Sequence, residues 1–145
     1  MKLERRFLLI AIYIVCFNSC GYDVVNNYDM LLINKSDKEI SLLYSNDVLP
    51  ELDENQVAYY LSDQSVTKPD SSRIIFKPGG KSAWHDYIEK REAKRLYLYV
   101  FETDTLRKYN NGLTMHDLVE HHKFISTLSY TEDELKKNKW KIIIK

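Results

Sequence analysis

The sequence predicts an all-β-dominated fold, an antiparallel β-sandwich carrying two or three short helices, with an α+β sheet packed by helices as the alternative. Short strand-like runs recur along the chain between turn signals, about seven or eight of them, which is the pattern of a sandwich. Helical periodicity never extends beyond about two turns. The composition points the same way, with 11 Tyr and 2 Trp but only 4 Gly among 145 residues.

Taken in order, 30–34 (MLLIN) and 40–44 (ISLLY) are β-type runs separated by Lys35-Ser36-Asp37-Lys38. They predict a hairpin turning at 34–38. Residues 46–55 are acidic and poor in apolar side chains, and read as loop. The run 57–61 (VAYYL) predicts a further strand, and 62–72 a polar loop. Residues 73–77 (RIIFK) form a strand closed by Pro78-Gly79-Gly80, where proline fixes φ and glycine admits positive φ. A short helix fits 82–93, with Trp84, Ile88 and Tyr87 on its inner side.

Residues 95–102 (RLYLYVFE) predict a central strand, because Leu96, Leu98 and Val100 occupy one face while Tyr97, Tyr99 and Phe101 occupy the other. A strand with two bulky faces needs cover on both sides. Thr103-Asp104-Thr105 ends it. Thr114 followed by Asp117 is an acidic capping box that predicts a short helix at 115–121, and Thr131 with Glu134 is a fuller one. The second helix has room for about six residues before Asn138. Between these helices 123–131 alternates as a strand, and 140–144 (WKIII) closes the chain with another.

The N-terminus predicts location. Lys2, Arg5 and Arg6 precede the apolar run 7–17 (FLLIAIYIVCF), the pattern of a cleavable export signal. Eleven residues of helix reach only about 16 Å, roughly half the hydrocarbon thickness, so a membrane span is disfavoured. Ser19-Cys20 follows, a small residue directly before a cysteine, and this resembles the lipobox in the looser form of Bacteroidetes-type lipoproteins. Phe17 and Asn18 depart from the stricter pattern, and an ordinary secretory signal with Cys20 as a free thiol is the alternative. Cysteine usage favours lipidation: Cys16 lies inside the removed segment and Cys20 is the other cysteine, so acylation leaves a domain with no thiol to oxidise. The expected organisation is a signal peptide at 1–19, a lipidated tether at 20–29 and one domain at 30–145.

Cleavage takes Lys2, Arg5, Arg6 and Glu4 from the 21 basic and 21 acidic residues, leaving 18 and 20, a net charge of about −2. That is no footprint for nucleic acid, whose binders present a strongly basic face. Nucleophilic catalysis lacks a G-x-S-x-G elbow, and no G-K-[ST] follows Gly79-Gly80. His116, Asp117, Glu120, His121 and His122 gather acid and imidazole within a short stretch, but H-x-x-x-E-H matches neither zinc-hydrolase spacing, and a solvated helix end is the simpler reading. The acidic loop from Asp47 to Glu54 lacks the D-x-[DN]-x-[DN]-G pattern of a calcium loop. Tyr59, Tyr60, Tyr97 and Tyr99 are the candidate ligand platform, since strand tyrosines can stack on sugars or peptides.

Three stretches carry a wider resemblance: 33–40 (INKSDKEI), 96–109 (LYLYVFETDTLRKY) and 130–144 (YTEDELKKNKWKIII). In this order they resemble the small lipoproteins of unassigned function common in gut Bacteroidetes. The chain departs from that pattern after Tyr109, where Asn110-Asn111-Gly112 stands in place of a frequent tryptophan. The resemblance implies an outer-envelope lipoprotein and supplies no catalytic residue. The expectation is therefore a lipid-anchored, non-catalytic binding module without cofactor or metal. Its partners would be the membrane through Cys20 and either a glycan or an envelope protein, with an accessory role in an envelope assembly, or a small hydrolase, as alternatives.

Overall fold

The computed structural model describes residues 29–52 and 56–145. The expected signal peptide, Cys20 and the expected tether up to residue 28 lie outside the described residues, as do Asp53 and Glu54 of the acidic loop. No helix among the described residues is long and apolar enough to cross a membrane. The chain forms two mostly antiparallel sheets with short helices, a small mixed α+β domain.

Strand β5 (Leu96–Glu102) organises the larger sheet, as its two-faced pattern requires. It pairs antiparallel with β2 (Ile40–Ser45) on one side and β6 (Ser126–Tyr130) on the other, and β2 also pairs with the two-residue β3 (Val66–Thr67). Leu96, Leu98 and Val100 meet Ile40 and Leu42 in one core cluster, and all are buried. Tyr99 and Phe101, on the opposite face, enter a second cluster with Leu43, Leu106, Met115, Leu118 and Val119. Each fully buried aliphatic side chain contributes roughly 1.5–3 kcal/mol relative to exposure, so both faces of β5 are anchored.

The smaller sheet has the order β4-β1-β7, with β1 spanning Met30–Asn34, β4 Ser72–Ile75 and β7 Lys141–Ile144. Met30, Leu32, Ile75, Ile142 and Ile144 join the first cluster, which the two sheets therefore share. Trp84 and Ile88 of α2 (Ala83–Glu89) close one side of it, and Tyr87 packs against it, the inner face expected for this helix.

Several features differ from the sequence-based expectation, among them an unexpected helix at Thr103–Tyr109 and strand β3 inside the expected loop 62–72. Residues 57–60 form one helical turn, α1, instead of a strand: Gln56 lies before it in extended backbone, and Val57 reaches the second cluster. An apolar run this short has no period that tells helix from strand, so packing decides. The turn at 34–38 joins the two sheets and is no hairpin, because β1 pairs with β4 and β7 while β2 pairs with β3 and β5. Asn34 enforces that corner. Fully buried, it donates through Nδ2 to the carbonyls of Lys38 (2.7 Å) and Thr67 (3.0 Å) and accepts at Oδ1 from Ser36 N (3.0 Å) and Oγ (2.7 Å). Finally, β7 runs parallel to β1, so the sheets are not wholly antiparallel. The chain crosses from β6 to the other sheet through α5 (Glu132–Lys137), then turns through Lys139 and Trp140 at φ +53° and +56°.

Helix α3 (Thr103–Tyr109) begins where β5 stops, and Leu106 is fully buried. Helices α4 (Met115–Glu120) and α5 start at the two expected capping boxes, each complete in both directions. Thr131 N donates to Glu134 Oε2 at 2.7 Å and Thr114 N to Asp117 Oδ2 at 2.7 Å, while the threonine hydroxyls accept from the backbone of the acids. These bonds hold the carboxyls of Glu134 and Asp117 below the usual carboxylate range, the backbone donor being the largest cause in each case.

Candidate functional site

A cleft of about 580 Å³ opens where the β4 edge of one sheet faces β2 and the chain leading into β3. Its size falls within the range of small-ligand sites. The period of β4 explains its chemistry. Met30 opposes Ile75 and Leu32 opposes Arg73, so Ile75 and Arg73 share the inward face of an edge strand, while Ile74 points out. A guanidinium thus stands where an aliphatic side chain would have extended the core. Arg73 Nη1 donates to the carbonyl of Gln64 at 2.6 Å, and its buried Nε–H has no hydrogen-bond partner among the described residues. Burial lowers the guanidinium's pKa, and Tyr59 and Tyr60 oppose that shift. A buried donor left unpaired costs about 1–3 kcal/mol, and a ligand oxygen would recover it.

Around Arg73 the walls alternate rings with hydrogen-bonding groups. Tyr59 and Tyr60 from α1, Tyr44 from β2 and Tyr87 from α2 supply rings, with Asn46, Gln64, Glu51 and Lys90 between them. Tyr59 and Tyr60 stand edge to face, with centroids 5.2 Å apart at 90°. Tyr59 is 60% exposed and forms the accessible ring at the mouth. Asn46 is fixed by donating to the Tyr87 carbonyl at 2.8 Å, which ties the end of β2 to α2.

The four tyrosines of the sequence-derived platform are not brought onto one surface. Tyr59 and Tyr60 line the cleft. Tyr97 and Tyr99 lie on the helix-facing side of β5, where Tyr97 packs against the second cluster and Tyr99 is buried within it. The Tyr99 hydroxyl donates to the Val48 carbonyl, and burial raises its pKa, with Tyr97 and Asp47 adding to the shift. Sequence reasoning placed Tyr59 and Tyr60 in a strand and passed over Arg73, Tyr44 and Tyr87. The signal that could have found Arg73 is a charge in phase with the inward Ile75.

The histidine-rich stretch is spread over structural roles. His116 Nδ1 lies 2.7 Å from the Pro50 carbonyl, pinning the acidic loop to α4, and His121 Nδ1 lies 2.7 Å from the Asp117 carbonyl at the helix end. His122 packs its ring against Phe124. Among the described residues no group of three or more His, Cys, Asp or Glu side chains is placed to hold a metal ion. A separate exposed pair, His85 Nδ1 and Glu132 Oε2 at 2.8 Å, joins α2 to α5, and that hydrogen bond raises the imidazole pKa. Comparison with protein-family models, with curated sequences and with solved structures finds no match to this chain.

Proposed function

We propose that the mature protein is a bacterial envelope lipoprotein, tethered to the outer membrane through acylated Cys20, that binds a glycan in the inter-sheet cleft and performs no catalysis. The observation that carries the binding reading is the cleft, where exposed and half-buried tyrosines alternate with amide and guanidinium donors. Sugar rings present apolar C–H faces that stack on aromatic rings and hydroxyls that pair with such donors. Of the described side chains lining the cleft, Glu51 alone is a carboxylate, and its Oε1 pairs with Arg91 at 2.6 Å. Two-carboxylate hydrolysis needs a second acid about 5–9.5 Å away, so the lining favours binding. In this reading the two sheets around their shared core are a distorted β-sandwich opened at one edge.

Glycan-array screening followed by calorimetry tests the proposal. A saturable oligosaccharide ligand whose affinity falls about tenfold in Tyr59→Ala, with unchanged unfolding, is the expected result; no glycan bound, or Tyr59→Ala binding as wild type does, overturns it. Intact mass of the native protein tests the anchor: an acylated chain starting at Cys20 is expected, and a chain starting at Met1 or bearing a bare thiol refutes it.

A second reading, an accessory role in a surface assembly, has its own observation. The outer face of the small sheet exposes Ile74 and Ile143 by 56% and 50%, and β7 is an edge strand. A sheet edge beside apolar side chains accepts strand addition. Cross-linking in the envelope that is lost in Ile143→Lys would favour this reading over the glycan.

A further inference from the structure

We propose that the rings of Tyr44, Trp84 and Tyr87 form a subsite for an alkylammonium group, best a quaternary one, carried by the ligand of the cleft, and that the Lys77 ammonium occupies this subsite as an exchangeable internal stand-in. Lys77 Nζ sits 3.7 Å from the Tyr87 ring centroid, 5.1 Å from that of Tyr44 and 5.7 Å from that of Trp84. All three fall within the roughly 6 Å reach of a cation–π contact.

The rings are built as a corner. Tyr44 and Trp84 meet at 70°, Tyr44 and Tyr87 at 87°, and Trp84 and Tyr87 at 80°, with centroids 5.0, 5.7 and 6.4 Å apart. Three nearly perpendicular planes surround one point as the inner walls of a box do, and a cation at that point meets negative π density from several sides. The walls are fixed from behind. Trp84 is 3% exposed within the first core cluster, and Tyr44 and Tyr87 pack against that cluster.

The occupant rides on a different kind of support. Lys77 lies two residues beyond the end of β4 and directly before Pro78-Gly79-Gly80, whose glycines take φ +128° and +82°. It continues the inward phase of Arg73 and Ile75. Two of the three rings, Tyr44 and Tyr87, also line the cleft, as do Phe76 and Pro78 on either side of Lys77, so the box borders the ligand site. A primary ammonium is strongly hydrated and loses much on entering such a box, whereas a methylated ammonium is less hydrated and presents more polarisable surface to the rings. The tethered lysine nevertheless competes at an effective concentration of millimolar order, which masks the subsite against weak ligands.

This inference rests on reading the cleft as the ligand site, and it is tested separately from the glycan. Tetramethylammonium chloride is titrated into the full chain held in a nonionic detergent, following the N-methyl proton resonance by NMR. Ring currents of a box shift that resonance upfield. Lys77→Ala is expected to bind at least tenfold more tightly than the wild type, and Lys77→Ala/Tyr87→Leu to lose the shift. Lys77→Gln replaces Lys77→Ala if the latter does not fold. An unmasked variant with no saturable shift, or one that binds no better than wild type, overturns the proposal even where a glycan still binds the cleft. Tetramethylammonium binding with an empty glycan array overturns only the sugar reading.

Discussion

Replacing Asn34 by alanine isolates the corner that turns the chain from one sheet to the other. The side chain uses both amide protons and both oxygen lone pairs, on the carbonyls of Lys38 and Thr67 and on Ser36. Lys38 and Ser36 lie toward solvent, and water can replace those bonds at about 0.5–1 kcal/mol in total. Thr67 is 2% exposed, so its carbonyl loses a partner that water cannot easily replace, at about 1–3 kcal/mol. The expected loss is about 1.5–4 kcal/mol, a large part of the ~5–15 kcal/mol that holds a domain of this size. Urea unfolding of a soluble form lacking Cys20 reads it directly. With an m-value of about 1.5 kcal/mol/M, the midpoint should fall by roughly 1–2.7 M at unchanged m. Asn34→Asp sharpens the test: it keeps the acceptor toward Ser36 but turns a carboxylate on two carbonyls, which raises its folded pKa. Its destabilisation is then small near pH 4 and grows as pH rises above the ordinary aspartate value. An alanine variant within about 1 kcal/mol of wild type, or an aspartate variant indifferent to pH, would refute the corner as the device that separates the sheets.

Three further outcomes are expected. Thr131→Ala, which breaks the box at α5, should cost about 1 kcal/mol in the same unfolding assay, while Thr131→Ser should cost almost nothing. The His85 imidazole should titrate above its ordinary value by NMR and return toward it in Glu132→Gln; because its folded pKa is raised, the stabilisation from this pair is fully present below the unfolded pKa of about 6.5 and disappears as pH rises through the folded one. Arg73→Leu should raise the urea midpoint or leave it unchanged, since an unpaired buried N–H is removed, while abolishing saturable binding in the cleft; a variant that binds normally would remove Arg73 from the site.

The parts of the fold legible in the sequence are those where one local interaction decides. The two faces of β5, the capping boxes at Thr114 and Thr131, and the inner residues of α2 each follow from neighbours a few positions away, and the structure places them as read. Three of the misreadings concern choices settled at a distance. Val57–Tyr60 has strand-forming residues, yet Val57 is buried by packing on the second cluster, and one turn of helix delivers it there. The turn after β1 has hairpin chemistry, but the Thr67 carbonyl, 33 residues away, draws Asn34 into an inter-sheet corner. The parallel partner of β7 lies at the other end of the domain, beyond the reach of any periodicity. The platform was half legible for the same reason: Tyr97 and Tyr99 satisfy the alternation of a strand equally well whether helices or water cover that face, and helices do.

The cleft itself follows from a conflict between local pattern and core. Along β4 and the two residues that follow it the sequence alternates Arg73, Ile75 and Lys77, so an apolar residue is flanked by two cations at the period that should carry core side chains. Aliphatic residues at both positions would bury about 1.5–3 kcal/mol each and draw β4 down onto β2. The cations prevent that closure, and each is instead met by a tyrosine-rich wall: Arg73 beside Tyr59 and Tyr60, Lys77 among Tyr44, Trp84 and Tyr87. Positions that give up core burial and leave a guanidinium N–H unpaired are poorly explained by stability alone. They are explained if the edge between the two sheets must stay open to a ligand that brings oxygen acceptors to one end and a soft cation to the other.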